Sequence, residues 1–195
     1  MAITVSNLTK TYGGKRVLHH FGMELAAGSV TCLMGPSGCG KTTLLHILLG
    51  ILPYDAGTVS GLEGKRVSAV FQEDRLCENL SVLRNLLLVL PGKPDGAELL
   101  RELQAVGLAE DAKTPAGDLS GGMKRRVAIL RALLVNPDVL ILDEPFSGLD
   151  EDRKRSVMEY FKRKTEGKTV LFVTHDAEEA ELLDADVITM SPAGE

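Results

Sequence analysis

Short apolar runs alternate with segments of helical periodicity along much of this chain. Three runs are typical of strands that are buried on both faces: Val30 to Met34, Val139 to Leu142 and Thr169 to Val173. A segment with helical spacing follows each run: Thr43 to Leu49, Asp150 to Thr165 and Asp176 to Leu183. Strands that alternate with helices predict an α/β fold with a mainly parallel sheet, which a last strand at Val187 to Met190 completes.

Two parts of the chain depart from this alternation. Near the N-terminus, Ile3 to Leu8 alternates in polarity and predicts an edge strand, and Val17 to Glu24 predicts its hairpin partner across Tyr12-Gly13-Gly14. Between Glu73 and Asn136 the pattern is helical, with predicted helices at Leu80 to Leu90, Ala97 to Leu108 and Ser120 to about Val135. We therefore predict one domain over residues 1–195. Residues 1–72 and 137–195 form its core, including an N-terminal antiparallel β part, and residues 73–136 form an inserted all-helical subdomain.

Composition limits the classes of function. Hydrophobic residues are 44% of the 195 residues and charged residues 25%, which is ordinary for one globular domain. The net charge of −5 disfavours a nucleic-acid binder, because phosphate backbones require a basic surface. Cys32, Cys39 and Cys77 form no C-x-x-C pair, which indicates neither a disulfide framework nor a zinc site. The apolar stretches are too short to span a bilayer, so a membrane role requires a partner.

A glycine-rich loop lies between the first buried strand and the helix that follows it. Its residues fit the pattern Gly-x-x-x-x-Gly-Lys-Thr of a phosphate-binding loop: Gly35, Pro36, Ser37, Gly38, Cys39, Gly40, Lys41, Thr42 and Thr43. The glycines leave backbone N–H groups free to converge on an anion at a helix N-terminus. Lys41 is expected to reach the β- and γ-phosphates, and Thr42 to place its hydroxyl on Mg²⁺. The chain is therefore predicted to be a P-loop NTPase.

Ionisable residues end two of the other buried strands. Asp143 and Glu144 follow one of them, where ligands bind in open α/β sheets. Asp143 is expected to hold Mg²⁺ and Glu144 to act as a general base, although two acidic residues can also cap a strand-to-helix turn. His175 ends the next strand and is predicted to sense phosphate or orient water. His19, His20 and His46 lack such a position and are interpreted as structural.

A second candidate anion site begins the helix after Leu119. Lys124, Arg125 and Arg126 occupy the first turn of this helix, where cations oppose the helix macrodipole. That cost is tolerated more easily if the helix end faces a strong anion, and Ser120, Gly121 and Gly122 also expose backbone N–H groups there. Since one chain rarely needs two γ-phosphate cradles, we predict that this end serves the nucleotide of a neighbouring subunit. The alternative is a plain serine N-cap.

Together these residues resemble an ATP-binding cassette ATPase subunit, the motor of membrane transporters. The resemblance covers nearly the whole chain, and the motifs follow the family's order: Tyr12, Gly35 to Thr42, Gln72, Leu119 to Gly122, Leu140 to Glu144, Ser147 to Asp150, and His175. In the family, the aromatic residue at the position of Tyr12 stacks on adenine, Gly35 to Thr42 is the phosphate loop, and the glutamine at Gln72 contacts Mg²⁺ and relays to the membrane partner. Leu119 to Gly122 is the signature, and Leu140 to Glu144 is the Mg²⁺ strand with the catalytic glutamate. Ser147 to Asp150 is the loop that crosses the dimer interface, and His175 is the switch histidine.

The resemblance implies a mechanism, cofactors and partners. Two copies, expected to form a homodimer, bind ATP and Mg²⁺ between the phosphate loop of one copy and Ser120 to Gly122 of the other, with Asp150 near this interface. Lys41, Gln72, Glu144 and His175 form the catalytic set. Glu73 to Leu90 is expected to bind a transmembrane permease subunit, although a small helical core is the alternative. The chain would then be cytoplasmic, on the inner face of the cell membrane.

Some features differ from the family's usual pattern or bear on its branches. Met123 replaces a usual Gln, and the short segments predict a compact cassette without an additional C-terminal domain. Phe71 to Leu76 resembles the nitrate, sulfonate and taurine importer branch. A soluble ATPase of DNA repair or translation is the main alternative, but such proteins usually carry a coiled-coil insertion or two cassettes. A GTPase would need an Asn-Lys-x-Asp motif, which is absent, and Lys41, Asp143 and Glu144 disfavour a non-catalytic regulatory subunit.

Overall fold

The computed structural model describes residues 1–92 and 94–193, which divide into two compact units. The first unit comprises residues 1–69, 138–144 and 167–195, and the second comprises 70–137 and 145–166. The strands are β1 Ile3–Tyr12, β2 Lys15–Leu25, β3 Val30–Met34, β4 Ala56–Ser60, β5 Val67–Val70, β6 Val139–Asp143, β7 Thr169–Val173 and β8 Asp186–Thr189. The helices are α1 Lys41–Leu48, α2 Val82–Leu87, α3 Gly96–Ala105, α4 Gly121–Leu134, α5 Glu151–Lys164 and α6 Ala177–Leu182.

A five-stranded sheet has the order β5-β6-β7-β3-β8. The pairs β6–β7, β7–β3 and β3–β8 are parallel, which confirms the prediction of a mainly parallel sheet. All residues of β6 and β7 are buried. Continuous apolar runs suit such strands because a parallel sheet is covered on both faces. The register fixes the carboxyl ends of β6 and β7 side by side, since Asp143 pairs with Val173.

The N-terminal part is an antiparallel sheet of order β2-β1-β4. The predicted hairpin is confirmed, and its turn residues Gly13 and Gly14 both have positive φ, as two-residue hairpin turns require. The prediction that the first strand is an edge strand is wrong, because β1 lies between β2 and β4. Alternating polarity indicates a half-buried strand and carries no information about its neighbours, so the short strand Ala56–Ser60 could not be assigned to its open side.

The core of the first unit joins the antiparallel sheet to β3, β6 and α1. Leu8, Leu33 and Leu44 are fully buried within one apolar cluster. Leu44 and Leu48 face this cluster from α1, so the helix that begins at the phosphate loop is anchored by its apolar side. Burying each such side chain contributes about 1.5–3 kcal/mol, which fixes the loop's helical end.

The second unit contains helices α2 to α5. Its core includes Phe146 and Phe161, whose rings meet edge to face with centroids 5.5 Å apart. A side-chain oxygen caps the N-terminus of each of these four helices: Ser81, Asp95, Ser120 and Asp150. This unit includes α5, which lies outside the predicted insertion 73–136. No helix in the part of the chain that the structure describes is long and apolar enough to cross a membrane.

Asn85 is a fully buried polar residue inside the short helix α2. Its side-chain oxygen accepts a hydrogen bond from Cys77 N at 2.8 Å. Its Nδ2 donates to the carbonyl oxygens of Cys77, Leu80 and Ser81, each at 3.1 Å. The side chain therefore satisfies four backbone groups and fixes the segment before α2 onto the helix.

We expect Asn85→Ala to lower the free energy of unfolding by about 2–4 kcal/mol, because it removes the acceptor of Cys77 N and the second donor of three carbonyls and creates a small cavity. Urea unfolding of the two proteins measures the difference. Asn79→Ala is the matched control, because Asn79 is exposed in the same segment and its loss should cost less than about 0.5 kcal/mol. Equal effects of the two substitutions would contradict the structural role of Asn85.

Candidate functional site

The phosphate loop holds its shape around Lys41. The ammonium group of Lys41 donates to Gly35 O at 2.7 Å and to Pro36 O at 3.0 Å. A further turn closes the loop, since Cys39 N donates to Pro36 O at 3.3 Å. The Lys41 ammonium, which is predicted to bind phosphate, therefore contacts two carbonyl oxygens of its own loop.

Two glycines set the backbone path of this loop. A Cβ at Gly35 would lie 2.3 Å from Met190 O, and one at Gly40 would lie 2.9 Å from Val17 O. Gly40, at φ 105°, is the N-cap of α1 and provides no side-chain hydrogen bond. The first amides of α1 thus have no side-chain cap, and an anion can accept from them. Glycine is required at Gly35 and Gly40 by space and by φ, as the motif predicts.

Thr42 and Asp143 come together across 101 residues of sequence. Thr42 Oγ1 donates to Asp143 Oδ2 at 2.7 Å, and Asp143 is buried at the end of β6. Hydroxyl and carboxylate oxygens are hard ligands that suit Mg²⁺. A single carboxylate with one hydroxyl also matches the way Mg²⁺ is bound through few protein ligands beside substrate phosphates. These two residues therefore fit the ion, and the structure brings together two of the three predicted metal ligands.

Glu144 and His175 also meet, at the ends of β6 and β7. The His175 Nδ1 atom lies 3.0 Å from Glu144 Oε2 and 3.2 Å from Oε1. The Glu144 backbone has φ 49°, in the left-handed region, and its N–H donates to Val173 O at 3.0 Å. The pair occupies the edge of the sheet where ligands of open α/β folds bind, with Glu144 held by a strand-to-strand hydrogen bond.

The hydrogen bond to Glu144 and the negative charge of this carboxylate raise the pKa of the His175 imidazole above its usual value. We expect NMR titration of the imidazole protons to show this raised pKa, and Glu144→Gln to lower it. Because the pKa of His175 is raised in the folded state, the stabilisation from this pair is fully present below the unfolded pKa of about 6.5. This stabilisation is lost as the pH rises through the folded pKa. An unchanged His175 titration in Glu144→Gln would contradict the pairing.

Tyr12 ends β1 and is 45% exposed. The Lys10 ammonium lies 5.4 Å from the centre of its ring, and the same ammonium pairs with Asp55 Oδ1 at 3.1 Å. Asp55 also accepts from Thr11 N at 2.7 Å, and these contacts lower the pKa of its carboxyl. The ring face is available for stacking, which the structure permits and which stays a prediction.

The second unit contains the other predicted nucleotide-binding residues. Ser120 caps α4 by accepting from Met123 N at 3.3 Å, and Asp150 caps α5 by accepting from Arg153 N at 3.0 Å. A Cβ at Gly122 would lie 3.0 Å from Gly148 O, so the signature and the loop Ser147 to Asp150 are adjacent. Gln72 follows β5 and is exposed.

The expectation that Lys124, Arg125 and Arg126 need an anion in front of α4 is wrong. The three cations have partners within their own unit: Lys124 pairs with Glu78 at 3.4 Å, and Arg125 pairs with Asp74 at 3.3 Å. Arg126 donates to Val106 O at 2.6 Å and to Gly107 O at 3.0 Å. Both arginines are buried against partners of their own unit, so their presence in α4 is not evidence for an external anion. The N-cap role of Ser120, named as the alternative, is observed, and the nucleotide role of Ser120 to Gly122 stays a prediction.

Sequence reasoning missed several structural partners of these residues. Arg125, Arg131 and Asp74 organise the loop around Gln72, and Asn85 organises the segment before α2. A signal was available for the arginines: from Val127 to Leu134 the helix is apolar on all faces except at Arg131, and a helix that is hydrophobic all round is buried.

A glycine loop between a buried parallel strand and a helix, with acidic residues at the carboxyl end of another strand of the same sheet, defines a P-loop NTPase. Within this class, the family model described as ABC transporter matches residues 18–147. The chain belongs to this family, and it is an ATP-binding cassette ATPase.

Individual relatives and a solved structure agree with this family assignment. SsuB 1, the aliphatic sulfonates import ATP-binding protein of Streptomyces avermitilis, is 42% identical over 193 residues, covering 97% of this chain and 73% of that protein. TauB, the taurine import ATP-binding protein of Escherichia coli K12, is 38% identical over 204 residues, covering 97% and 79%. The dimeric cassette MJ0796 in a post-hydrolysis state, bound to ADP and Pi, is 29% identical with a TM-score of 0.82, covering 96% and 94%.

Proposed function

We propose that this chain hydrolyses ATP at a site built from Lys41, Thr42, Asp143, Glu144 and His175, and thereby powers import of a small sulfonate through a partner permease. The observation that carries the proposal is the presence in the first unit of Lys41 and two side-chain pairs. Lys41 lies in the phosphate loop, Thr42 bonds Asp143, and His175 bonds Glu144. ATP-binding subunits named for import of sulfonates and taurine are the relatives that support the choice of cargo.

Each residue has a distinct task in phosphoryl transfer. Lys41 exchanges its carbonyl partners for the β- and γ-phosphate oxygens and stabilises the charge that develops there. Glu144 accepts a proton from the attacking water, and His175 positions the Glu144 carboxylate relative to the γ-phosphate. Thr42, Asp143 and Gln72 are the residues that would hold Mg²⁺, which neutralises phosphate charge when bound.

A second copy completes the site. Backbone amides of Ser120, Gly121 and Gly122 from one copy face the nucleotide of the other, with Asp150 beside them. Gly121 and Ser120 are exposed, which leaves this helix end accessible to a partner. The dimeric form of the similar cassette MJ0796 supports this arrangement. Residues 1–195 then act as one ATPase domain, in which 73–136 is the signature subdomain.

The permease contacts the segment Glu73 to Leu90. Val82 and Leu86 face the inside of the unit, whereas Leu87, Leu88 and Val89 are exposed, at 39%, 59% and 37%. The segment therefore has both an inner core face and an outer apolar face, and the outer face fits a protein partner. With a permease as its partner, the chain would act at the cytoplasmic face of the cell membrane. A non-transport ABC-type ATPase is not favoured, since the relatives are import subunits.

Complementation between two inactive variants tests the composite site. We expect Lys41→Ala and Ser120→Arg each to abolish hydrolysis, the first by removing the phosphate cation and the second by blocking the amides at the start of α4. When the two proteins are mixed, a mixed dimer contains one intact site, and hydrolysis returns in part. If each site lay within one chain, no activity would return. A separate experiment tests the membrane partner. We expect the permease to co-purify with the wild-type chain and not with the Leu88→Asp variant.

A further inference from the structure

Arg125 of α4 binds the loop that carries Gln72. Its Nη1 donates to Phe71 O at 2.6 Å, and its Nη2 donates to Gln72 O at 2.5 Å. Its Nε lies 3.3 Å from Asp74 Oδ1. Only 8% of the Arg125 side chain is exposed, so these contacts are shielded from water. The guanidinium fork thus binds two consecutive carbonyls and one carboxylate at the same time, which the ammonium of lysine cannot do.

A second arginine of the same helix continues this contact. Arg131 donates to Asp74 O at 3.1 Å and to Arg75 O at 3.0 Å. The Arg75 guanidinium in turn lies 3.7 Å from the centre of the Phe71 ring, which closes the loop on itself. The backbone from Phe71 to Arg75 is therefore held by α4 at both ends.

The helix that makes these contacts begins at Ser120 to Gly122. A continuous α-helix of 14 residues transmits displacement along its axis as one rigid element. Arg125 lies in the second turn, not in the first turn as the sequence predicts, but it is close to the exposed N-terminal end that is proposed to face a partner's nucleotide. The position of the Gln72 backbone is thereby tied to the position of that end.

We propose that Arg125 is a positioning residue: it fixes the backbone of Gln72 onto α4, so that the signature end of α4 and the Gln72 loop move as one body. The inference rests on the proposed function, in which Gln72 and Ser120 to Gly122 act on ATP. Arg125 touches neither substrate nor reacting atoms in this account. It acts through Gln72, whose placement within a fraction of an ångström decides the rate.

The decisive variants are Arg125→Met and the double variant Arg125→Met/Asp74→Asn. The single variant leaves the Asp74 carboxylate without its partner and can lose stability for that reason. The double variant removes this charge and should restore the melting temperature, but the bonds from Arg125 to Phe71 O and Gln72 O are lost in it as well. We expect kcat for ATP hydrolysis to fall roughly 10- to 100-fold in both variants, with the KM for ATP within about twofold of wild type. Arg155→Met, at an exposed position of α5, is the matched control and should retain wild-type kcat.

Gln72→Ala separates positioning from general destabilisation. Because Arg125 acts through Gln72, adding Arg125→Met/Asp74→Asn to Gln72→Ala should lower kcat no further. Recovery of kcat together with the melting temperature in Arg125→Met/Asp74→Asn would overturn the inference, and so would additive losses in the Gln72→Ala background. If the wild-type chain hydrolyses ATP but Gln72→Ala has normal kcat, the assignment of Gln72 in the proposed function fails instead. Absence of hydrolysis in wild type overturns both.

Discussion

Replacement of Glu144 by Gln is expected to leave ATP binding intact and to lower the hydrolysis rate by about 10²–10⁴-fold, the range of a general base. Glutamine has the size of glutamate and still accepts hydrogen bonds, but it cannot take a proton from water. The left-handed backbone at φ 49° and the bond from Glu144 N to Val173 O do not involve the carboxylate, so the local fold is retained.

Single-turnover kinetics with saturating ATP measures this effect, and fluorescent-nucleotide binding measures affinity. Glu178→Gln is the matched control, since Glu178 is an exposed glutamate in the first turn of α6 and should change neither quantity. Turnover at the wild-type rate in Glu144→Gln would refute the assignment of the base. Loss of ATP binding would instead show that Glu144 shapes the nucleotide pocket.

Gly35→Ala is the second substitution with a large expected effect. A Cβ there would stand 2.3 Å from Met190 O, and the Met190 backbone is fixed because its N–H donates to Met34 O at 2.8 Å. Neither side can yield without separating β3 from the segment after β8. With φ at 152°, a conformation that L-residues rarely adopt, the substitution should cost about 3 kcal/mol or more and distort the loop.

Thermal unfolding of Gly35→Ala should show the loss of stability, and ATP titration should show a loss of affinity. Gly64→Ala is the control, because Gly64 also has positive φ, 70°, but a Cβ there would meet nothing within 4 Å. That variant should lose only about 1–2 kcal/mol of stability from backbone strain and keep normal ATP affinity. Comparable losses in the two proteins would contradict the close approach of Gly35 to Met190.

The parallel sheet and the phosphate loop were predictable because their signals are local. A continuous apolar run such as Val139 to Leu142 indicates burial on both faces, and the loop motif fixes its own position between a strand and a helix. The meeting of Thr42 with Asp143 could also be anticipated, since residues at the carboxyl ends of parallel strands share one edge of the sheet.

Features set by distant partners were not predictable. The sequence predicts an edge strand at Ile3 to Leu8, because nothing in this segment indicates the pairing with Ala56–Ser60. The helix predicted at Leu80 to Leu90 is confined to Val82–Leu87, because Ser81 caps its start. The cations of α4 looked costly at a helix N-terminus, but tertiary contacts with Asp74, Glu78 and the carbonyls at Val106 and Gly107 offset that cost.

The bonds from Lys41 to Gly35 O and Pro36 O fix the ammonium group against carbonyl oxygens of its own loop. We expect ATP binding to exchange these two partners of Lys41 for phosphate oxygens. Such an exchange loses little conformational entropy, but its net free energy is reduced by the two carbonyl contacts that are given up. Affinity at this site is thus the difference between two sets of contacts of Lys41, which makes it lower than the phosphate contacts alone would give.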